Sequence, residues 1–248
     1  ENTILNLADP DDKDKDGISG KVNYVLNEES GKAELGRFGW KANQPSLRLQ
    51  TAIAFLRDMG ITSSIHPKED FSGKQEKIIK NSQNDEGPDI DDAKLKRVVT
   101  YLRTLAPPAQ RDTGAETVRK GEELFIKIGC AKCHVQTLMT GSNAAINELK
   151  NQTIRPYTDL LLHDMGAALS DGNTKSKVSG SEWRTPPLWG IGLTETVNGN
   201  VFFLHDGRAR NLQEAIMWHG GEGLFSKEAY SKLSAQERSF VLNFLRSL

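Results

Sequence analysis

Cys130-Ala131-Lys132-Cys133-His134 reads C-x-x-C-H, the spacing at which two thiols each form a thioether with a haem vinyl group while the next residue ligates the iron. Cys130 and Cys133 are the only cysteines in 248 residues, so such a haem uses both and leaves none for a disulfide. Other readings of C-x-x-C are a chance pair, a thioredoxin-like redox couple and half of a zinc site. A redox couple normally follows a strand within a βαβ pattern, and zinc needs two further soft ligands at matching spacing; neither context surrounds this motif. A covalently held haem c, with His134 on its iron, is therefore the expectation.

Just upstream, Val118, Gly121, Phe125 and Ile128 recur on one face of a predicted helix. Thr113-Gly114-Ala115-Glu116 has the T-x-x-E form of a capping box that would open it, and Gly129 closes it. Gly121 on the apolar face lets a second helix approach closely. The expected partner is the closing segment with Phe240, Phe244 and Leu248. First and last helices crossing beside a haem are the cytochrome c arrangement.

The chain also matches itself. Asp91 to Leu105 aligns without gaps on Ser234 to Leu248, with Val, Leu, Arg and Leu coinciding, Tyr101 opposite Phe244 and Thr104 opposite Ser247. Gln50 to Leu56 resembles Gln213 to His219 in the same order. The expected fold is mainly α, with two cytochrome c-like helical modules. Residues 1–106 form the C-terminal part of a first module, incomplete at its N-terminus, and 107–112 form a linker in which Pro107-Pro108 stops the preceding helix. Residues 113–248 form the haem-binding module. The duplication predicts a second haem motif upstream of Glu1.

A sixth iron ligand is sought among the remaining histidines and the methionines. Asn211-Leu212-Gln213-Glu214 opens a short helix on which Leu212, Ala215, Ile216 and His219 share one stripe, ended by Gly220-Gly221. His219 is the favoured ligand, set against a plain hydrogen-bonded histidine that complements a helix C-terminus. Met165 is the runner-up, and Met217 points off the stripe.

A net charge of -1 gives no electrostatic reason to expect nucleic acid. Apolar runs such as Leu160-Leu161-Leu162 are too short to cross a bilayer, so a soluble chain with no membrane span is expected. The start at Glu1, with no charged or apolar leader, reads as a processed end and, with covalent haem attachment, as a periplasmic or otherwise extracytoplasmic location. Thr140 to Gln152, Ser170 to Glu182 and His66 to Asp92 read as loops. Asp12, Asp14 and Asp16 followed by Gly17 match the first half of a calcium loop, although Asn23 stands where a bidentate glutamate is usual; an acidic solvated turn is the other reading.

Phrases spread along the whole chain add a resemblance. They are Gly36-Arg37-Phe38-Gly39-Trp40-Lys41-Ala42, Ala54 to Thr62, Ile154-Arg155-Pro156-Tyr157-Thr158-Asp159, His163-Asp164-Met165-Gly166, Arg184-Thr185-Pro186-Pro187-Leu188-Trp189 and His205-Asp206-Gly207-Arg208-Ala209. With the haem motif, they resemble the bacterial di-haem oxidoreductase (putative peroxidase) family, and more distantly the di-haem cytochrome c peroxidases and MauG-type enzymes. The resemblance implies two haems, an electron-transfer role for the one held here, and peroxide chemistry at an upstream haem. In the peroxidases, a motif similar to His205-Asp206-Gly207-Arg208 precedes a helix that supplies a methionine ligand. His219 falls at that place here, which implies a lower potential.

Arg184 and Arg208 are candidates to pair with haem propionates, against the commoner outcome of surface arginines. Trp189 is a candidate between redox centres, against plain packing, and Met59 a candidate contact of the upstream haem, against plain core. Expected partners are an electron donor or acceptor protein and a small-molecule oxidant. The alternative function is a non-catalytic electron carrier or haem-bearing binding module; a zinc-stabilised domain is a distant third.

Overall fold

The computed structural model describes residues 1–71, Gln75, 87–174 and 176–248. Among the described residues, most of the regular structure is helical, with three small two-stranded sheets. The predicted loop from His66 to Asp92 lies largely outside the described residues. No described helix is long and apolar enough to cross a membrane. The chain divides into two compact units, one of residues 24–39 and 43–106, the other of residues 1–23, 40–42 and 107–248. The first 23 residues, assigned by sequence to the first module, thus pack with the second, as does the Pro107–Asp112 segment.

The smaller unit opens with an antiparallel hairpin, β1 (Tyr24–Asn27) with β2 (Lys32–Leu35), in the register Tyr24 opposite Leu35. Helix α1 (Asn2–Leu7) belongs to the other unit. Helix α2 (Leu47–Met59) starts at Ser46, whose side chain accepts the Leu49 N–H at 3.1 Å, and stops at Gly60 in the left-handed conformation, φ 68°. Helix α3 (Asp92–Thr104) starts at Asp91, which accepts the Lys94 N–H at 2.8 Å. Ala52, Leu95 and Val99 form the core between these two helices. Met59 is 57% exposed, which corrects its reading as plain core. Leu56, one turn earlier, takes the buried stripe position.

In the larger unit, helix α4 (Glu116–Lys127) crosses helix α8 (Ala235–Ser247), the last of the chain. Val118, Gly121, Phe125 and Ile128 are all buried, as their spacing predicts. A Cβ on Gly121 would stand 2.0 Å from the Phe240 carbonyl oxygen and 2.7 Å from Phe244 Cβ, so only glycine permits this crossing. Phe125, Tyr157 and Phe244 meet ring against ring beneath it, with centroids 5.2 to 6.3 Å apart.

The capping box predicted at Thr113–Glu116 does not form. Ala115 is the N-cap without a side-chain bond, because the Asp112–Ala115 turn, closed by the Ala115 N–H on the Asp112 carbonyl at 2.9 Å, takes up the residues that would have capped. Helix α8 has the true capping box, with Ser234 and Glu237 reciprocally bonded.

Between α4 and α8 the chain is mostly irregular. Two short antiparallel pairs brace it, β3 (Leu138–Met139) with β4 (Thr153–Ile154), and β5 (Leu162–Asp164) with β6 (Glu182–Arg184). Helices α5 (Thr194–Asn198), α6 (Leu212–Trp218) and α7 (Leu224–Lys232) complete the unit.

Candidate haem site

Cys130–Lys132 form one tight 3-10 turn directly after α4, entered through Gly129 at φ 91°. The turn brings Cys130 and His134 together, with the His134 N–H on the Cys130 carbonyl at 2.9 Å. Burial pushes the Cys130 thiol up to about 12 and raises Cys133 as well, so both sulfurs stay protonated at neutral pH. Neither is in a disulfide.

Asn211 caps α6 by accepting the Glu214 N–H at 2.8 Å, and the helix ends with His219 as its C-cap. Leu212, Ala215, Ile216 and His219 line one apolar cleft, as their stripe predicts, and Cys130 and His134 line it too. Gly220 is extended at φ −141° rather than left-handed; the positive φ expected of the helix-ending glycines occurs at Gly221 instead.

Each imidazole is fixed through Nδ1, His134 on the Tyr157 carbonyl at 3.0 Å and His219 on the Ala215 carbonyl at 2.8 Å. That bond sets the tautomer and keeps Nε2 as a lone-pair donor. Burial pushes His134 down to about 4 and lowers His219 too, so both rings are neutral at pH 7, the state that binds a metal.

This donor set suits a c-type haem: Cys130 and two neutral imidazoles border one cleft lined by Phe125, Leu188, Ile191 and Leu245, while Cys133, outside that lining, lies against His163. The enclosed space is about 80 Å³, whereas pockets that enclose a drug-sized ligand run to roughly 300–1,000 Å³. Seating a macrocycle therefore requires the lining side chains to draw apart.

Other predicted residues lie elsewhere. Met165 sits beside Gly223 and is not among the cleft-lining residues; Met217 is exposed. Arg208 pairs with Asp206 through Nε at 2.6 Å, bonds the Ala168 carbonyl and lies 4.8 Å over the Trp218 ring. Arg184 donates to the Thr185 carbonyl, and burial lowers its pKa against the pull of Asp159. Neither arginine is among the cleft-lining residues. Trp189 borders a separate cavity of about 420 Å³ with Pro108, Arg155 and Tyr157. Asp12, Asp14 and Asp16 bring carboxylate oxygens within 4.8 Å of one another, but Lys132 stands 2.9 Å from Asp16, and Asn23 donates to the Lys41 and Ala42 carbonyls.

Sequence reasoning missed a buried polar cluster. His163 is 3% exposed and lies between Asp159 (Nε2 to Oδ2, 2.8 Å) and Glu222 (Nδ1 to Oε2, 2.6 Å), with Cys133 Sγ 3.6 Å away. Burial opposes its charge, yet the bonds to Asp159, Cys133 and Glu222 outweigh burial and raise it to about 12. Only the phrase His163-Asp164-Met165-Gly166 hinted at this residue, since its partners are far apart in sequence.

Similarity to known proteins agrees with the site. No curated protein matches the chain. A family model described as "di-haem oxidoreductase, putative peroxidase" matches residues 1–248. The chain belongs to the di-haem oxidoreductase family.

Proposed function

We propose that this chain holds one haem c through Cys130 and Cys133, with His134 and His219 on its iron, and passes electrons within an extracytoplasmic di-haem oxidoreductase. The observation that carries this reading is the pair of imidazoles, each tied to a backbone carbonyl through Nδ1 and each bordering the apolar cleft beside the cysteines. The haem would supply a one-electron couple. The protein's part is to exclude water, keep both rings neutral and hold two strong ligands, which leaves no position for an oxidant at this iron.

Catalysis on a small-molecule oxidant is accordingly assigned to the family's other haem, within the first of two cytochrome c-like modules. The repeat supports that division. Leu49, Ala52, Ile53 and Leu56 reproduce the stripe Leu212, Ala215, Ile216 and His219, so an apolar side chain replaces the ligand in the first copy. An electron donor or acceptor protein is the expected partner, and a carrier without catalysis is the alternative. Calcium at Asp12, Asp14 and Asp16 is a lesser part of the proposal, because Lys132 already neutralises Asp16.

The test is a pyridine haemochrome spectrum with intact mass on protein matured in a host that attaches haem c. One covalent haem per chain at Cys130 and Cys133 is expected. Colourless protein of unmodified mass contradicts the reading.

A further inference from the structure

We propose that His163, held between Asp159 and Glu222, is a positioning residue that fixes the turn after His219 against the haem-attachment loop and so holds the sixth ligand in place; this rests on the haem reading above. His163 sits on β5, in neither the C-x-x-C-H motif nor the cleft lining. Its ring nitrogens contact one carboxylate from each side of the site. Asp159 belongs to the attachment side, because its own N–H bonds the Cys133 carbonyl at 2.9 Å. Glu222 belongs to the ligand side, three residues beyond His219.

Both bonds require the ring to donate at both nitrogens, which only the imidazolium does. The neutral ring would turn a lone pair toward one carboxylate, and a buried unpaired charge is costly. Further carboxylate bonds come from main-chain donors and one hydroxyl. Glu222 accepts from Ser19 N at 3.0 Å, Ser19 Oγ at 2.7 Å and Asp164 N at 3.2 Å, and Asp159 accepts from Leu161 N at 2.9 Å. Removing either carboxylate leaves the imidazolium with one partner, and removing His163 leaves two buried carboxylates with no cation between them.

The backbone around it is packed as closely. A Cβ on Gly221 would come within 2.1 Å of the Asp164 carbonyl oxygen, and one on Gly223 within 3.2 Å of His219 Cβ and Cδ2. The glycine turn is thus pressed between β5 and the His219 ring, and Glu222 is the side chain that locks it there. Groups that orient a metal's ligands commonly change metal affinity or activity by roughly 10–100-fold when mutated.

The experiment uses haem-loaded protein, comparing the unmodified chain with Glu222→Ala and His163→Asn by ferric spectrum and cyanide titration. The variants are expected to keep covalent haem, since both cysteines remain, to gain a high-spin fraction, and to bind cyanide roughly 10–100-fold more tightly as His219 yields. An unchanged low-spin spectrum and cyanide affinity overturn the proposal, including where the melting temperature falls. If Glu222→Ala and His163→Asn fail to fold, Ser19→Ala removes one hydroxyl donor from the same carboxylate; a smaller shift in the same direction supports the proposal and none overturns it. Absent haem or high-spin iron in the unmodified protein instead overturns the haem reading beneath it.

Discussion

Gly121 touches the backbone of Phe240: a methyl group there would lie 2.0 Å from the Phe240 carbonyl oxygen. Backbone cannot yield as a flexible side chain can, so Gly121→Ala must push α4 away from α8 and open the core at Phe125 and Phe244. A destabilisation of at least about 1–3 kcal/mol is expected, read as a lower urea midpoint with unchanged slope. A midpoint equal to that of the unmodified chain would mean that the helices do not cross here.

The ligand set predicts the direction of the haem potential. Methionine in place of the second histidine raises it, so His219→Met should move the midpoint of a redox titration upward and bring in a sulfur-to-iron charge-transfer band. If neither changes, His219 is not on the iron.

The buried cluster predicts a stability profile with a defined sign. Burial raises the Glu222 carboxyl, but the bonds to His163 and Ser19 outweigh it and hold the group near 2 against an ordinary value of 4.5. Its stabilisation is present above pH 4.5 and is lost as pH falls toward 2. His163, raised from 6.5 to about 12, acts in the other sense: its stabilisation is complete below pH 6.5 and declines as pH rises toward 12. The pair therefore supports the fold most between pH 4.5 and 6.5. Urea midpoints at pH 3, 5.5 and 8 should peak at 5.5 in the unmodified chain and be lower and flatter in Glu222→Gln. Equal pH dependence in the two would show that the pair does not couple to folding.

The acidic loop predicts heat on calcium addition to chelator-treated protein, reduced in Asp12→Asn and increased in Lys132→Ala, which frees Asp16. No heat in any of the three removes calcium from the proposal.

Local periodicity made much of the fold legible. Asp91 and Ser234, aligned by the internal repeat, are the N-caps of two helices of 13 residues each, because a cap and an apolar stripe are written within a few turns of chain. The Leu212–His219 stripe and Gly121 were readable for the same reason. The cluster of Asp159, His163 and Glu222 was not, since 59 residues separate His163 from Glu222 and no spacing rule joins them. Nor was the return of residues 1–23 to the larger unit, where the Ser19 N–H and hydroxyl meet Glu222. At Thr113 the local signal was present but the Asp112–Ala115 turn overrode it. Arg184 and Arg208 lie outside the cleft lining, and Arg208 bonds Asp206, two residues before it.

Electron paramagnetic resonance of the ferric, as-isolated protein reads the iron's two axial ligands at once. Low-spin signals of bis-imidazole type, lost in His219→Ala with the haem still covalently bound, are predicted. A high-spin signal, or a histidine-methionine signature in the unmodified chain, would contradict the pairing of His134 with His219.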